Sequence, residues 1–367
     1  MKVGLSYPGF HRRGGVERVF YECAKFLANH GHDVTVFASE WESECLPVTY
    51  ERVQRRAGPS FSRPLSFFRE CTRRMNAKSF DVRSAFGSEC PIGGVFWAQS
   101  VHKAWLDRVK KFRAPMSYGR WKQRLNPLHP VLLHLEKRHF SERRHGKVIA
   151  LTPEVKSDLQ HFYEVPDEKI VVIPNGVSLE EFNVARCANM RSQVREELGY
   201  GDRDRVVIFV ANETERKGLL PLVRAVSSLQ DGTIKVLAVG RLNPNSIGQM
   251  GNVKFVGPAS DVARYFAAAD MFALPTQYEA WGLVIIEALA CGLPVVVSRL
   301  AGASVAVEEG VTGELLDEPR DESEIATKLL RILDRSNAGR DRIASTIEHY
   351  SWNSVLSRYE QTLAECI

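Results

Sequence analysis

The chain has 367 residues, of which 44% are apolar and 25% charged, with a formal net charge of +5, a composition typical of a soluble globular protein. Two domains are expected, because one hydrophobic core rarely organises so long a chain. The N-terminus MKVGLSYPGF lacks the apolar run and small-residue cleavage site of a signal peptide. Seven scattered cysteines without a CxxC pair argue against a disulfide framework or a zinc site and favour a reducing, cytoplasmic location.

The first half of the chain begins with a strand, a glycine-rich loop, a helix and a second strand. KVGLSY leads into PGFHRRGG, the following segment VERVFYECAKFLANHG has helical periodicity, and DVTVFA is the next strand. This βαβ order predicts a parallel, doubly wound sheet. Residues 51–125 are Arg-rich and interrupted by prolines, so helices and exposed loops are expected there. KVIALT and KIVVIPNG then close the first half.

A second alternating series follows in the other half. Strands are predicted at RVVIFVA, IKVLAVG, VKFVG, MFALPT and PVVVS, with helices at LLPLVRAVSSLQ, SDVARYFAAA and GLVIIEALA. Two successive α/β halves predict two Rossmann-like domains, 1–174 and 175–351, that face each other across a cleft. Ligands would bind at the carboxyl ends of the strands. The last helix, about 352–367, is a candidate to pack back onto the first domain.

Charge is unevenly distributed between the halves. Residues 1–174 hold 29 Lys and Arg against 18 Asp and Glu, whereas the remainder holds 20 against 26. Within 51–124 the count is 17 basic to 5 acidic. Such a basic half suits nucleic acid, an anionic membrane surface or an anionic substrate, and a merely solvated basic face would give the same counts. No recognised nucleic-acid motif accompanies it, so no nucleic-acid partner is expected.

The segment YEAWGLVIIEALACGLPVVV combines a strongly apolar run with Glu279 and Glu287. It is interrupted by Gly292 and Pro294, so it is too short to span a bilayer and predicts a buried helix followed by a buried strand. A helix beginning near Leu283 would offer unpaired N–H groups and its positive dipole end to an anion. Glu287 would lean back toward that end from about 6 Å along the axis.

Glu279 lies on the loop before that helix, so two acceptor groups would flank the anion site. Such a site suits a ligand with phosphates at its middle and hydroxyls at both ends, which describes a nucleotide sugar. On spacing alone another interpretation stays open, in which Glu287 pairs with a buried cation and Glu279 is solvated.

EAWGLVIIE resembles the E-x7-E motif of family 4 retaining glycosyltransferases of the GT-B architecture. GGVERV is similar to that family's glycine-rich loop, IPNGV to its interdomain junction, ERKG to its diphosphate motif and LPVVVSRLAGASVAVEEGVTGELL to the end of its donor domain. HKAWLDR and LEKRHF resemble the lipopolysaccharide core glucosyltransferase branch. The resemblance implies an acceptor-binding first domain and a donor-binding second domain.

The resemblance also implies roles for particular residues. Arg216 and Lys217 would hold the donor diphosphate, Glu279 would contact hydroxyls of the donor sugar, and Glu287 would accept hydrogen bonds from the ribose. Many members carry an arginine where this chain has Asn212. The remaining donor-side residues are Ala280, Trp281, Gly282 and Leu283, which would supply backbone N–H groups, and Gly14 and Gly15, which would let the first domain approach the diphosphate. His102 is a candidate contact to the donor sugar or the reacting centre, with a surface histidine as the open alternative.

The function that the resemblance implies is the retaining transfer of a hexose from a nucleotide sugar to a hydroxyl of a glycan or glycolipid, in lipopolysaccharide or other cell-envelope synthesis. UDP is the expected carrier, with GDP as the alternative. No cofactor and no metal are expected, because Arg216, Lys217 and the helix end would neutralise the diphosphate, and no His/Asp cluster has ligand spacing. A nucleotide-sugar epimerase or hydrolase on the same fold remains the alternative. A dinucleotide oxidoreductase is disfavoured, because PGFHRRGGVER lacks the GxGxxG spacing.

The basic segment 51–124 falls where such enzymes bind the acceptor and the membrane. Its arginines interleave with Phe61, Phe67 and Phe68, which are expected to insert beside anionic lipid. The arginines are Arg52, Arg55, Arg56, Arg63, Arg69, Arg73 and Arg74. The expected location is therefore the cytoplasm, peripherally on the inner face of the cytoplasmic membrane.

Overall fold

The chain folds into two compact units. The computed structural model describes residues 1–42, 46–55, 58–112, 125–141, 145–248, 251–334 and 339–367. One unit comprises Met1–Gly176 with Trp352–Ile367, and the other comprises Val177–Ser351. Both are built on parallel sheets, as the alternation of strands and helices predicts.

The first unit contains a seven-stranded parallel sheet. The strands of this sheet are β1 (Lys2–Ser6), β3 (Asp33–Ala38), β5 (Thr49–Arg52), β6 (Val82–Ala85), β7 (Gly94–Ala98), β8 (His145–Ala150) and β9 (Ile170–Val172). Two further short strands, β2 (Gly9–Phe10) and β4 (Glu40–Trp41), pair with each other in a separate sheet. Its helices before residue 176 are α1 (Val16–Asn29), α2 (Arg63–Asn76), α3 (His102–Lys111), α4 (Leu128–Ser141) and α5 (Pro153–Tyr163).

The strand order of this sheet is β5-β3-β1-β6-β7-β8-β9. The chain runs outward from β1 through β3 to β5 and then returns to β6 on the other side of β1. Since crossovers between parallel strands are right-handed, α1 and α2 cover opposite faces. The loops that follow β1 and β6 therefore diverge at the carboxyl edge, where open α/β sheets bind ligands.

The second unit contains a six-stranded parallel sheet. Its strands are β10 (Arg205–Val210), β11 (Ile234–Val239), β12 (Val253–Gly257), β13 (Met271–Leu274), β14 (Val295–Ser298) and β15 (Gly313–Leu316). Its helices are α6 (Val184–Leu198), α7 (Leu219–Ser228), α8 (Ala263–Ala268), α9 (Leu283–Ala290), α10 (Glu322–Asp334) and α11 (Arg340–Ser345). The central strands are buried on both faces and are therefore almost continuously apolar.

The second sheet has the order β12-β11-β10-β13-β14-β15. The chain reverses direction across the sheet after β12, so β10 and β13 are neighbours although about 60 residues separate them. This pair is the topological switch point of the unit. The loops at its carboxyl edge, 211–218 after β10 and 275–282 after β13, carry most of the residues that the motifs single out.

The last helix, α12 (Trp352–Ala364), belongs to the first unit, where it packs against α1, β6 and β7. Tyr359 is fully buried, with its ring centroid 4.9 Å from that of Trp97 and 6.2 Å from that of Phe86. A side chain at Gly176 would collide with the ring of Trp352, so only glycine fits at position 176, next to the start of this helix.

Residues 51–125 differ from the expectation of helices and exposed loops. The structure places two buried strands there, β6 and β7, in the middle of the sheet. β6 reads VRSA, four residues with an arginine among them, so periodicity gives no strand signal. The predicted helix SDVARYFAAA is shortened to Ala263–Ala268. Of the helices in the part of the chain that the structure describes, none has the length and apolarity needed to cross a membrane.

Candidate functional site

The loops after β10 and β13 are bonded to each other. The backbone N–H of Gln277 donates to the Arg216 carbonyl at 2.9 Å, and the Thr276 hydroxyl donates to the same oxygen at 3.3 Å. Gly218 has a φ of +82°, and a Cβ there would lie 2.1 Å from the Pro275 carbonyl oxygen. Only glycine permits this approach. The two loops thus form one surface at the switch point.

Arg216, Lys217 and Glu279 are brought together on this surface. The Lys217 ammonium contacts Glu279 Oε2, and a guanidinium nitrogen of Arg216 lies 3.8 Å from the same oxygen. Arg216 also donates to Glu213 at 2.9 Å and to the Tyr278 carbonyl. The three side chains are mostly buried, so their charges interact more strongly than surface ion pairs do. Two cations therefore face two carboxylates, Glu279 and the half-exposed Glu213.

Lys217 is perturbed by its surroundings. Burial lowers the pKa of its ammonium to about 7, the Arg216 charge adds to that decrease, and Glu213 opposes it. The Glu279 carboxylate that touches the ammonium favours its charged form. A buried lysine whose pKa lies near 7, in contact with a carboxylate and next to a second cation, is typical of a functional site rather than of a solvated helix start.

Glu279 is fixed through its backbone by a third loop, residues 300–303. Its N–H donates to the Leu300 carbonyl at 3.1 Å, and its carbonyl accepts from Gly302 at 2.9 Å. The Trp281 carbonyl accepts from Ala303 at 2.8 Å, and Trp281 is 2% exposed. Sequence reasoning did not assign this loop to the site. Its signal is the run of small residues in RLAGAS, which allows close backbone approach.

Helix α9 begins directly after this loop. Gly282 is its N-cap residue with a φ of +96°, and the N–H groups of Leu283 and Val284 lie in the first turn, where a helix has no carbonyl to bond. These groups and the dipole end make a positive surface next to Glu279 and the basic pair. Ala280 lies in the preceding loop, against Gly302, where a Cβ would lie 2.1 Å from the Ala280 carbonyl oxygen.

Glu287 lies in the second turn of α9 and is 6% exposed. Contact with Cys187 and burial raise the pKa of the Cys291 thiol, and the charge of Glu287 adds a smaller increase. The buried position agrees with the expected placement of a carboxylate one turn inside an apolar helix. Its predicted contact to a ribose stays a prediction.

Asn212 lies at the same edge of the sheet, but its side chain binds the loop after β11. Its Oδ1 accepts from the Arg241 N–H at 3.1 Å, which joins the segments after β10 and β11. The side chain is exposed. At the position where the family resemblance implies an arginine, this chain therefore has an amide that joins two loops.

A D-x-D triplet is present at Asp202-Arg203-Asp204, before β10. Asp204 accepts from the Gly201 N–H at 2.7 Å and shapes the turn into the strand. Six residues of strand separate it from the carboxyl edge, about 20 Å at the usual rise. Among the described residues, no three His, Cys, Asp or Glu side chains gather into a group that could hold a metal ion.

The first unit carries the other predicted residues at its own carboxyl edge. Gly14 and Gly15 lie in the loop between β1 and α1, at the switch point of that sheet. Gly14 has a φ of +94°, and a Cβ there would lie 2.5 Å from Glu17 Oε2. Gly15 is the N-cap residue of α1.

His102 is the first residue of α3, which follows β7. Its Nε2 lies 3.2 Å from Nδ1 of His129, and its ring stacks on Trp105 with a centroid distance of 5.3 Å. Burial, and secondarily the charge of His129, lowers the pKa of His102 to about 4, so the imidazole is neutral at neutral pH. The His102 side chain is half-buried. Its predicted contact to a donor sugar stays a prediction.

The basic segment only partly matches its expected surface. Phe67 and Phe68 are 0% and 7% exposed and belong to the core, so the expectation that they insert into lipid is wrong; Phe61, at 37%, is exposed. Helical periodicity buries this face of α2 while Arg69 and Arg73 point outward. Arg56 and the part of the segment from 113 to 124 lie outside the described residues.

Comparisons with known proteins agree with the fold. Residues 204–335 match the family model described as glycosyl transferases group 1, and residues 13–181 match the model described as glycosyltransferase family 4. The lipopolysaccharide glucosyltransferase WaaG of Escherichia coli (strain K12) is 24% identical to this chain, over 96% of this chain and 95% of WaaG.

Solved structures give the same result. The crystal structure of WaaG, a glycosyltransferase involved in lipopolysaccharide biosynthesis, has a TM-score of 0.83 at 21% identity, covering 98% of this chain and 99% of that chain. Anabaena Alr3699/HepE in complex with UDP and glucose has a TM-score of 0.73 at 19% identity, covering 99% of each chain.

The predicted fold class and family are therefore confirmed: the two matched regions together span most of the chain, and the likeness to WaaG extends over nearly its whole length. The chain belongs to the group 1 and family 4 glycosyltransferases, and it is a glycosyltransferase of the GT-B fold related to WaaG.

Proposed function

We propose that the protein is a retaining hexosyltransferase that uses a nucleotide sugar, in the first instance a UDP-hexose, and transfers the hexose to a hydroxyl of a glycan or glycolipid. The observation that carries the proposal is the cluster of Arg216, Lys217 and Glu279 at the switch point of the second sheet, beside the N-terminus of α9. Ligands of open α/β sheets bind at such a point.

The chemistry of the cluster matches a diphosphate donor. When the bond between the anomeric carbon and the phosphate oxygen breaks, negative charge grows on the leaving diphosphate. Arg216, Lys217 and the first-turn N–H groups of α9 are held in place before the reaction, so they would stabilise that charge without reorganising. Loss of one such donor typically costs about 10² to 10³ in rate.

The two glutamates would bind the two ends of the donor, the hexose and the ribose. Glu279, adjacent to the cations, would accept from hydroxyls of the hexose, and Glu287, one turn inside α9, would accept from the ribose. In the retaining reaction the acceptor oxygen bonds to the anomeric carbon on the face that the phosphate leaves. The acceptor proton passes to the leaving phosphate oxygen. The residues in the cluster would neutralise the diphosphate without a metal.

The acceptor is proposed to bind the first, basic unit. Its net positive charge would attract an anionic glycolipid or an anionic membrane surface. The likeness to WaaG, which is named as a lipopolysaccharide glucosyltransferase, supports a cell-envelope glycan as acceptor. The complex of HepE with UDP and glucose supports UDP-glucose as the first donor to test.

The test is a panel of radiolabelled UDP- and GDP-sugars, each incubated with the protein and assayed for slow hydrolysis of the bond between the hexose and the diphosphate. We expect one donor to release hexose and nucleotide diphosphate, and the Glu279→Gln variant to lose most of that turnover, because the amide cannot replace a carboxylate as acceptor and anion. Glu197→Gln is the matched control, since Glu197 is a glutamate of the same unit that is ion-paired with Arg264 on the surface.

Two outcomes would contradict the proposal. Equal turnover by the wild type and Glu279→Gln would remove the role of this glutamate. Conversion of the donor to an isomeric nucleotide sugar, without release of hexose, would favour the epimerase alternative.

A further inference from the structure

The first unit contains a buried carboxylate to which the proposed function gives no role. Glu136, in α4, is 2% exposed. One carboxylate oxygen accepts from the His102 N–H at 2.6 Å, and the other accepts from the Lys103 N–H at 3.1 Å and from the Tyr163 hydroxyl at 2.5 Å. Burial raises the pKa of this carboxyl, while these three hydrogen bonds lower it.

We propose that Glu136 is a positioning residue for the transfer reaction: it fixes the start of α3 and thereby the imidazole of His102. The inference rests on the proposed function and on the prediction from the sequence that His102 contacts the donor sugar or the reacting centre. Glu136 itself is not expected to touch substrate.

The start of α3 depends on this contact because the helix lacks a cap of its own. The N-cap residue is Val101, which has no side-chain acceptor, so the first helical N–H groups have no local partner. Glu136 supplies that acceptor from a different helix. A carboxylate at this position is also favoured by the positive end of the helix dipole.

The same helix that carries Glu136 also orients the imidazole. His129 lies seven residues before Glu136, two helical turns away on the same face of α4. Its Nδ1 lies 3.2 Å from Nε2 of His102, and its ring centroid lies 5.6 Å from that of Trp105. Helix α4 thus holds both the backbone and the ring of His102, and a shift of either would move the imidazole.

Glu136→Gln is a selective probe of this arrangement. Each carboxylate oxygen faces one backbone N–H, whereas glutamine offers only one carbonyl oxygen and an NH2 group that donates. In either orientation the NH2 group would face the N–H of His102 or of Lys103. The first turn of α3 must therefore move, although the volume of the side chain is unchanged.

Asp158→Asn provides the matched control. Asp158, in α5, is 8% exposed and accepts two hydrogen bonds of 2.7 Å from Arg108, which lies at the other end of α3. This variant also weakens a buried carboxylate contact to α3 but leaves its first turn bonded to Glu136. Tyr163→Phe is a second comparison, since it removes one donor to Glu136 and leaves both N–H contacts in place.

The experiment measures kcat and KM for donor hydrolysis, UDP affinity, thermal stability and amide hydrogen exchange for the full chain. We expect Glu136→Gln to lower kcat by roughly 10- to 100-fold, because a displacement of about 1 Å at a reacting centre can cost 100-fold. UDP affinity should stay the same, and exchange at His102 and Lys103 should increase. Asp158→Asn should lower stability and leave kcat unchanged, and Tyr163→Phe should reduce kcat less than Glu136→Gln.

A double-mutant cycle with His102→Ala separates positioning from an independent effect. We expect the double variant to be no slower than His102→Ala alone. The inference would be overturned if the loss of kcat in the double variant equalled the product of the losses in the two single variants. It would also be overturned by an unchanged kcat in Glu136→Gln or by full activity in His102→Ala. A wild type that hydrolyses no nucleotide sugar would instead overturn the proposed function, and that result is visible before any variant is compared.

Discussion

At the scale of single residues, the contact between Lys217 and Glu279 is the central feature of the second unit. A buried ion pair is held together by charge but loses hydration, so it is a modest source of stability. The pair indicates a binding site, because its two groups would bind different parts of the donor: the lysine the diphosphate and the glutamate the sugar hydroxyls. Arg216 lies 3.8 Å from the same carboxylate oxygen and is also paired with the half-exposed Glu213.

The lowered pKa of Lys217 predicts a pH dependence of donor binding. Below about pH 7 the ammonium is charged and attracts the diphosphate, whereas above it an increasing fraction is neutral. The affinity for a UDP-hexose, whose diphosphate diester does not titrate in this range, should therefore fall as pH rises from 6 to 9, by up to about tenfold per unit. Calorimetric titration across this range measures the effect.

Lys217→Arg is the control for that prediction, since a guanidinium keeps its charge throughout the range. Its affinity should be nearly independent of pH, even if its absolute value is lower. A wild-type affinity that stays constant between pH 6 and 9 would show that Lys217 does not titrate in the free protein.

Some of these residues could be predicted from the sequence and some could not. Glu279, Arg216 and Lys217 lie in short motifs with characteristic neighbours, so their resemblance to a family locates them. Glu136 and His102 are separated by 34 residues and share no motif. Their contact arises from the packing of α4 against α3, which no local pattern encodes.

At the scale of elements, the start of α9 determines where Glu279 lies. Gly282 has a φ of +96°, and a Cβ there would lie 3.1 Å from Glu279 Cγ and 3.2 Å from Ile285 Cδ1. The helix can therefore begin at this point, directly after the loop that carries Glu279, because residue 282 has no side chain.

Gly282→Ala is expected to destabilise the protein by about 1–2 kcal/mol, the usual cost of the left-handed conformation, and also to reduce turnover by displacing Glu279. Gly199→Ala is the matched control: Gly199 has a φ of +71° at the end of α6, and a Cβ there would meet nothing within 4 Å. Thermal unfolding and donor hydrolysis distinguish the two. Equal loss of activity in both variants would show that Gly282 matters only for stability.

Periodicity predicted the amphipathic elements well and the buried short strands poorly. The spacing of apolar residues in α1 predicts a buried face, and the structure buries all of its members except Val16, which is half-buried; the predicted members are Val16, Val19, Phe20, Cys23, Phe26 and Leu27. Periodicity gives no signal for β6, VRSA, because this short strand in the middle of the sheet is stabilised by its neighbours rather than by its own sequence, whereas β7, GVFWA, contains the strand-forming residues Val, Phe and Trp. Tertiary context decides such segments.

At the scale of the whole molecule, the C-terminal helix α12 completes the first unit although it follows the second in sequence. Tyr359→Ala should destabilise the first unit by about 3–5 kcal/mol, the typical cost of removing a large buried aromatic side chain. UDP is proposed to bind the second unit, so its affinity should be preserved at a temperature below the transition. Loss of UDP affinity in the folded variant would contradict that assignment.

The basic first unit predicts salt-dependent binding to anionic vesicles. With Phe67 and Phe68 in the core, the attraction should be mainly electrostatic and should be lost at high ionic strength. Arg63 and Arg69 are exposed on α2, and reversal of both charges should weaken flotation with vesicles that contain anionic lipid. Flotation that persists at high salt, or a protein that stays in solution at low salt, would contradict this hypothesis.

The structure of a complex with UDP tests the central claim most directly. We predict that the diphosphate lies against Arg216, Lys217 and the first turn of α9, with the ribose hydroxyls donating to Glu287. UDP bound elsewhere, or bound with Glu287 and the basic pair directed away from it, would contradict the account.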